Sequence, residues 1–351
     1  MRTLVFASLA VGLAAGSVRA QPATDPPASD GSAAPLLPPS AVAPIPPPTP
    51  PPKQTGTFSV GASYATGDGF TARADLSQSN LFHTGLGLSL DATLGERAQR
   101  FDMKLVDPHI ANDRLTLTTD VYRDRRLLGD TGDWRDAVGI DVSLSTRLAD
   151  HTHAFVGYRI ENVDGTGNLA WLRAGTDYST LDHAMAPTRG TSAGITVGVA
   201  DSAYGSDYDL IRVDAWMNTH QALGPFIFHT GGRFAAVGSP NGDVPFTEQL
   251  FFDGPNDLRG FGYGDGPGNY SPGNMLGMWR TELELPVTHG VSVRGFWDAG
   301  GIFEPGGAGT IAQSVGGGVL WRSPIGPISV DYAVPFEGSG PRWLFAIGQT
   351  F

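Results

Sequence analysis

The sequence predicts an all-β protein, a transmembrane antiparallel β-barrel of about 16 strands preceded by a disordered, proline-rich segment. Three observations support this fold class. Apolar and polar residues alternate along most of the chain, charged residues occupy many of the polar positions, and the chain opens with an export signal. Together they indicate a protein that crosses a bacterial outer membrane with strands.

Residues 1–20 have the pattern of a cleaved secretory signal peptide. Arg2 supplies the positive start, residues 4–13 form a short apolar run, and Ala20 ends a small-residue cleavage site. The run is shorter than a membrane-spanning helix, which argues against the alternative of a transmembrane anchor. The chain has no cysteine, so we expect neither a lipid-modified cysteine nor a disulfide. Export without cysteine is typical of a Gram-negative envelope protein.

Residues 21–56 differ from the rest of the chain in composition. Thirteen of the 27 prolines lie between Pro22 and Pro52, mixed with small and polar residues. Such a segment buries too little apolar surface to fold. We therefore predict a semi-rigid, extended periplasmic linker, interpreted as a spacer without a specific partner.

Residues 57–351 are predicted to form the barrel. Val138, Ile140 and Val142, for example, alternate with polar residues such as Asp141. A period of two predicts strands with one apolar and one polar face. About 16 segments show this pattern, each near the ~10 residues that a tilted strand needs to cross a bilayer. They lie near 57–65, 68–77, 82–94, 98–107, 113–125, 134–148, 152–162, 169–180, 189–201, 207–218, 224–237, 274–287, 290–303, 310–323, 327–336 and 342–351.

Repeated amphipathic strands fit either a soluble sheet protein or a membrane barrel. A soluble sandwich or propeller buries the apolar faces, whereas a membrane barrel turns them outward to lipid. Charges at mid-strand, such as Asp141, Arg212 and Asp214, do not fit a packed core, although the wet face of a soluble sheet accepts them. The chain also ends on a strand-like segment, 343–351. Because lipid tolerates no unpaired strand edge, this segment must close onto the first strand, which favours the barrel.

Short motifs follow one another in a fixed order along residues 55–351. The stretch TGTFSVGASYATGDGFTARADLSQSNLFHTGLGLSL is followed by APTRGTSAGITV, LRGF, ELELP, FWDAG, SPIGPISVDYAVPF and the final FAIGQTF. In types and order these motifs resemble the barrel domain of the BamA-type outer-membrane protein assembly factors, also called bacterial surface antigens. The resemblance covers nearly all of the predicted barrel and implies localisation in the Gram-negative outer membrane, in contact with its lipid.

The resemblance implies that the long loop 238–273 folds back into the lumen. There Arg259, in the motif Arg259-Gly260-Phe261, is expected to pair with acidic side chains of the barrel wall. The alternation of the sequence supports this independently, since Glu282 and Asp298 fall on the polar faces of two adjacent predicted strands. An arginine fork on two carboxylates is charge-assisted and fixes the root of a glycine-rich loop. The alternative is a solvated surface loop.

The resemblance also implies a function, assistance in the insertion or translocation of unfolded or exported proteins. In such barrels the seam between the first and last strands opens sideways, and a substrate strand adds to the exposed edge. Here the seam would be formed by Phe58, Val60, Tyr64, Phe345, Ile347, Gly348 and Phe351. Gly348 packs no side chain and is expected to weaken the last strand. The alternatives are a passive pore or structural barrel plugged by its long loop, and a barrel enzyme at the membrane surface.

The chain departs from the resembling family before the barrel. Members usually carry several periplasmic domains that receive substrates, and residues 21–56 are too few for one. Three explanations are open: a separate periplasmic receptor protein, a dedicated substrate, or loss of the insertase role.

Other motifs do not indicate catalysis or ligand binding. Residues 190–194 match G-x-S-x-G, but they open an alternating strand and not the strand–turn–helix of a nucleophile elbow. His151 and His153 lack a third metal ligand nearby. The net charge of −12 argues against a nucleic-acid partner. We predict that the protein is not an enzyme and that it uses no cofactor and no metal.

Overall fold

The computed structural model describes residues 56–129, 131–183, 187–252, 254–262, 272–288, 290–304, 310–323, 326–338 and 340–347. The predicted signal peptide, and the predicted linker up to residue 55, lie outside the described residues. No helix in the described part of the chain is long and apolar enough to cross a membrane.

Sixteen antiparallel strands in these ranges form one closed barrel, in which each strand pairs with its neighbours in sequence and the last strand pairs with the first. The predicted fold class is therefore confirmed. The strands are β1 (Gly56–Ala65), β2 (Gly69–Leu81), β3 (Leu86–Gly95), β4 (Ala98–Ile110), β5 (Leu115–Leu127), β6 (Trp134–Ala149), β7 (Thr152–Val163), β8 (Gly167–Ser179), β9 (Gly190–Ala200), β10 (Leu210–Leu223), β11 (Phe226–Gly238), β12 (Met275–Thr288), β13 (Val291–Phe303), β14 (Ala312–Ser323), β15 (Gly326–Pro335) and β16 (Arg342–Ile347).

The apolar faces of the strands point outward and the charged faces point into the barrel. On β6, Ile140 is 46% exposed while its neighbour Asp141 is 7% exposed. On β10, Ile211 is exposed while Arg212 and Asp214 are buried. In a soluble protein these outward apolar faces would be exposed to water, whereas in a membrane they contact hydrocarbon. The outward apolar faces therefore fit a barrel that spans a membrane.

The connections define how the barrel sits in the membrane. Most connections at one end are short, as at 82–85, 111–114, 150–151 and 224–225, with 180–189 as a longer exception. Most of those at the other end are longer, including 201–209 and 239–274. Outer-membrane barrels carry their short turns on the periplasmic side and their long loops outside. Odd-numbered strands therefore run outward, and the 239–274 loop enters the lumen from the extracellular end.

Several predicted boundaries were wrong by a few residues. The strand predicted at 82–94 begins at Leu86, because Phe82 and His83 adopt left-handed φ angles of 50° and 63° in a turn. Asp113, at the start of another predicted strand, likewise has a φ of 62°. Alternation of apolar residues does not reveal such backbone conformations. The barrel begins at Gly56, which pairs with Gln78 on β2.

Candidate functional site

In the connection between β11 and β12, residues 239–274, the described segments 244–252 and 254–262 are largely buried against the lumenal wall of the barrel. The connection includes two 3-10 turns, Phe246–Glu248 and Gly254–Asn256, and a two-residue bridge between Leu250 and Gly273. A set of its apolar side chains is buried, namely Val244, Leu250, Phe252, Leu258 and Phe261. Val244 and Leu250 pack with apolar wall residues, and Phe252, Leu258 and Phe261 form a second cluster with Ala312 of β14, packing that a solvated surface loop lacks.

Arg259 pairs with two carboxylates of the barrel wall. Its Nε and Nη2 atoms donate to the two oxygens of Asp298 on β13, both at 2.8 Å, and its backbone N–H donates to Asp298 Oδ2 at 3.2 Å. Its Nη1 donates to Glu282 Oε2 on β12 at 2.6 Å. Arg259 is 2% exposed and Asp298 is fully buried. We call this arrangement the Arg259 anchor.

The register of β12 and β13 brings the two carboxylates together. Arg280 lies opposite Asp298 and Glu282 lies opposite Phe296, so Glu282 and Asp298 are diagonal neighbours on the lumenal face. The ring of Phe296 lies under the guanidinium, with its centroid 3.6 Å from Arg259 Cζ. A cation over an aromatic face is attracted by the ring quadrupole. The wall therefore contacts the arginine at its edge and on its face.

Gly260 and Phe261 have separate structural roles beside the arginine. Gly260 has a φ of +95°, and a Cβ at this position would lie 3.3 Å from the Cβ atoms of Ala333 and Ser314 on the wall. Glycine is the residue that adopts this φ without strain and fits this space. Phe261 is buried and contacts Phe252 edge to face, with centroids 6.4 Å apart. The structure thus brings together all five residues predicted for the loop root.

Further wall arginines complete this region, and sequence reasoning did not assign them a role. Arg280 Nε donates to the backbone carbonyl of Asp257 at 3.1 Å. Arg294 forms a two-point ion pair with Asp331 on β15, at 2.9 and 2.6 Å. These side chains share the lumenal parity of Glu282 and Asp298, so the alternation of the sequence contained the signal. Their pairing depends on strand register, which the alternation does not supply.

A second ion-pair group holds the loop on the opposite side of the barrel. Glu248, in the loop, accepts from Arg135 Nε on β6 at 2.7 Å, and Arg135 Nη2 donates to Glu161 on β7 at 2.8 Å. Tyr122 on β5 donates its hydroxyl to the other oxygen of Glu161 at 2.8 Å. All four residues are buried. We call this group the Glu248 anchor; here the wall provides the arginine and the loop the carboxylate.

The wall between the anchors carries charges that pair with one another. On β7 and β8, Arg159 and Arg173 both donate to Asp141 of β6. On β10, Arg212 Nε donates to Asp214 at 2.9 Å, and its Nη1 lies 3.5 Å from the backbone oxygen of Glu248. The loop therefore crosses a lumen whose wall charges pair with one another.

The predicted seam residues are only partly brought together. β1 pairs with β2 along its whole length, but among the described residues it pairs with β16 only at Tyr64 and Ala65, opposite Ile347 and Ala346. Beyond this, the Thr66 N–H donates to the Phe345 carbonyl at 3.0 Å.

Phe58 and Val60, nearer the start of β1, lie away from this contact. Phe58 and Val60 are 69% and 57% exposed on the outer face, and no described residue of β16 lies opposite them. Tyr64 and Phe345 are in ring contact, with centroids 6.2 Å apart. Gly348 and Phe351 lie outside the described residues.

One group in the lumen has the composition of a metal site. Ligand atoms of His229, Glu282 and Glu284 lie within 4.8 Å of one another. However, Arg322 Nη1 lies 2.8 Å from one oxygen of Glu284 and its Nη2 donates to the other at 3.0 Å, and Arg259 binds Glu282. A bound cation would have to displace these guanidinium groups, so the carboxylates are better described as arginine partners.

The fold and the anchored loop define a class of protein, the outer-membrane β-barrels whose long extracellular loop is held in the lumen. Within this class, a family model described as the Omp85 superfamily domain matches residues 80–351, and the chain belongs to the Omp85 superfamily. The predicted resemblance, the Gram-negative outer-membrane localisation and the expectation of a non-enzymatic protein are confirmed.

Two curated relatives are outer-membrane protein assembly factors named BamA. The protein from Nitratidesulfovibrio vulgaris is 23% identical over 339 residues, which cover 85% of this chain and 42% of the relative. The protein from Neisseria meningitidis serogroup B is 24% identical over 385 residues, which cover 85% of this chain and 47% of the relative. This chain thus spans less than half the length of these relatives.

Solved structures show the same fold. BamA from Haemophilus ducreyi lacking POTRA domains 1–3 superposes with a TM-score of 0.74 at 21% identity, over 85% of this chain and 70% of that chain. CdiB from Escherichia coli superposes with a TM-score of 0.58 at 15% identity, over 85% of this chain and 64% of that chain.

Proposed function

We propose that this barrel assists the insertion or translocation of proteins at the outer membrane by opening sideways between β1 and β16. The observation that carries the proposal is the place of this seam in the closed barrel of an Omp85-superfamily chain, where the last strand pairs with the first. Every other pair of neighbouring strands is joined by a connection of the chain, whereas β1 and β16 are not consecutive in sequence. This pair can therefore part without a covalent connection holding the two strands together.

When β1 and β16 part, the edge of β1 that becomes free is suited to bind another strand. N–H and C=O groups that lack partners in hydrocarbon cost several kcal/mol each, as an order of magnitude. A strand of an unfolded or exported protein would satisfy them by edge pairing, in which main-chain hydrogen bonds supply the affinity. The substrate class is therefore a polypeptide with strand-forming segments.

The anchored loop supports the same role by stiffening the wall beside the seam. Gly260 contacts Ser314 on β14 and Ala333 on β15, and Arg259 binds β12 and β13. The loop thus joins four consecutive strands on one side of β16. Opening is then concentrated at β1 and β16, because the neighbouring strands are held together from inside.

A separate periplasmic receptor protein is the partner that we propose for substrate delivery. The match covers 42% and 47% of the two curated relatives, so each relative is more than twice as long as its part that aligns with this chain. Periplasmic delivery would fall to another polypeptide wherever this chain itself has no such domain.

A disulfide across the seam tests lateral opening. The chain has no cysteine, so A65C with A346C introduces the one possible pair, at directly opposed positions. We expect the oxidised variant to lose its ability to support outer-membrane or exported proteins, and a reductant to restore it. The matched control, S63C with T71C, joins β1 to β2, which are already fully paired, and should be active in both redox states. Equal activity of the oxidised seam variant and the control would refute lateral opening.

The competing function is a passive pore, which the charged lumenal wall favours. If the protein is a pore plugged by its loop, deletion of residues 256–274 should raise its conductance in planar bilayers. The seam disulfide should then leave its physiological role unchanged. The two measurements together separate the candidates, because the insertase role depends on the seam and the pore role depends on the loop.

A further inference from the structure

The outer surface of the barrel carries a single concentration of cationic side chains. Among the described strand residues with outward parity, the arginines are Arg123 and Arg125, and none is a lysine. The remaining strand arginines, such as Arg135 and Arg212, share the parity of the buried lumenal charges. In a chain with a net charge of −12, two adjacent outward arginines require an explanation.

Their height on the barrel is well defined. β5 runs outward and ends at Leu127, so both arginines lie near the extracellular end. A charge facing lipid costs about 2–4 kcal/mol at the bilayer midplane but only about 0–1 kcal/mol near the interface. Trp134, which directly opposes Leu127 on β6, is a residue type that marks the headgroup level. The pair therefore faces the headgroups of the outer leaflet.

The two guanidinium groups are oriented by β6 but are not fully neutralised. Arg123 donates through Nε and Nη2 to the two oxygens of Asp136, at 3.2 and 2.7 Å. Arg125 lies over the ring of Trp134, with Cζ 4.4 Å from its centroid, and forms no ion pair with a described residue. On β5 and β6, one carboxylate thus lies beside two guanidinium groups. The Arg123 side chain is 61% exposed.

A phosphate group fits this arrangement better than a neutral ligand does. Arginine presents its donors in a planar fork that matches phosphate oxygens, and the resulting hydrogen bonds are charge-assisted. Stacking on Trp134 and pairing with Asp136 restrict the two side chains, which lowers the entropy lost on binding. The ligand must also lie within the leaflet, since the outward face of β5 is in contact with lipid.

We propose that Arg123 and Arg125, oriented by Asp136 and Trp134, bind the phosphate group of an anionic outer-leaflet lipid. The proposal is independent of the insertase role, because it concerns a face of the barrel that is distant in strand order from the β1–β16 seam. A bound lipid would fix the rotational position of this wall in the membrane.

Binding of a phosphorylated glycolipid to the folded barrel in non-ionic detergent tests the proposal. We expect the wild-type protein to bind it at least tenfold more tightly than the R123A/R125A variant, as measured by native mass spectrometry. The same glycolipid without phosphate, and inorganic phosphate alone, should bind the wild type no better than the variant. The glycolipid without phosphate tests whether the phosphate is needed, and inorganic phosphate alone tests whether the lipid part is needed.

Arg147→Ala is the matched control. Its side chain is 60% exposed and pairs with Asp150, but it lies at the periplasmic end of β6 and should leave glycolipid binding unchanged. The R123K/R125K variant keeps the charge without the fork and should bind with intermediate affinity, which keeps the test decisive if the alanine variant folds poorly. Equal affinity of wild type and both Arg123/Arg125 variants, or equal binding of the glycolipid without phosphate, would overturn the proposal.

Discussion

Arg259 is held in the lumen by directed hydrogen bonds as well as by the attraction between opposite charges. Asp298 accepts from its backbone N–H, Nε and Nη2, and Glu282 accepts from Nη1. Burial lowers the pKa of Arg259, but the adjacent Asp298 and Glu282 carboxylates outweigh this effect and raise the pKa above its ordinary value. The guanidinium therefore stays ionised at every accessible pH, and the anchor depends on geometry and not on titration of the arginine.

Arg259→Ala should loosen the loop and lower barrel stability or activity. It leaves the buried Asp298 without the guanidinium, a change that costs about 3–5 kcal/mol in comparable buried pairs. The measurements are heat-modified gel mobility and protease resistance of the loop. Arg259→Lys keeps the charge but lacks the two-point fork. Its gel mobility and loop protease resistance should therefore lie between those of the wild type and those of Arg259→Ala. Unchanged mobility and unchanged protease resistance in the alanine variant would contradict the role of the pair.

Gly260→Ala should destabilise the loop root by roughly 1–3 kcal/mol, the usual range for a strained backbone position. The added methyl meets Ala333 and Ser314 at 3.3 Å in a backbone with a φ of +95°. Gly242→Ala in the same loop is the control, since no atom lies within 4 Å of its added Cβ. Thermal unfolding followed by gel mobility should separate the two variants, and equal melting would show that Gly260 tolerates a side chain.

At the scale of the loop, the two anchors are unequal. When Arg259 is removed, the loop contributes no cation to the Arg259 anchor, and Asp298 and Glu282 lose their loop partner. In the Glu248 anchor, Arg135 keeps Glu161 as a partner when Glu248 is removed. Removal of one partner is costly chiefly when it leaves the other charge buried and uncompensated.

Glu248→Ala should therefore destabilise the barrel less than Arg259→Ala, and the double variant should release the loop more fully than either single variant. Limited proteolysis within 239–274 reports this release, because a seated loop is protected from cleavage. The isosteric Glu248→Gln variant controls for packing. Release by Glu248→Ala alone, to the extent seen in the double variant, would show that the anchors do not act in parallel.

At the scale of the whole molecule, the seated loop and the proposed opening of the seam can be tested separately. Thr166, in the extracellular β7–β8 turn, and Thr247, in the loop, have hydroxyl oxygens 2.6 Å apart. T166C with T247C should form a disulfide that fixes the loop without touching β1 or β16. We expect the oxidised protein to remain active, in contrast to the A65C/A346C variant. Loss of activity that a reductant restores would show that the loop moves during the functional cycle.

Much of this architecture was predictable from residue alternation, and the reason is physical. Because side chains alternate between the two faces of a strand, Asp141 and Ile140 are assigned to lumen and lipid as soon as the strand is recognised. The same parity placed Glu282 and Asp298 on one face of adjacent strands. The family resemblance added the identity of the arginine that binds them.

The parts that escaped prediction depend on contacts distant in sequence or on local backbone conformation. Glu248 and Arg135 come together across the lumen, and no periodic signal links a loop residue to a wall residue far away in the chain. The register at which β16 meets β1, with Ala65 opposite Ala346, is fixed by alternation only modulo two residues. The turn at Phe82 and His83 depends on left-handed φ angles, which the alternation of apolar residues does not predict.

The path of the 239–274 loop has a consequence for the permeability of the membrane. Attached to β12 and β13 at one side and to β6 at the other, it divides the cross-section of the barrel. A solute that moves along the axis of the barrel therefore meets the seated loop. Under the proposed lateral route, cargo does not require the axis to clear, so a cell could carry many copies of such a barrel and still exclude antibiotics and detergents.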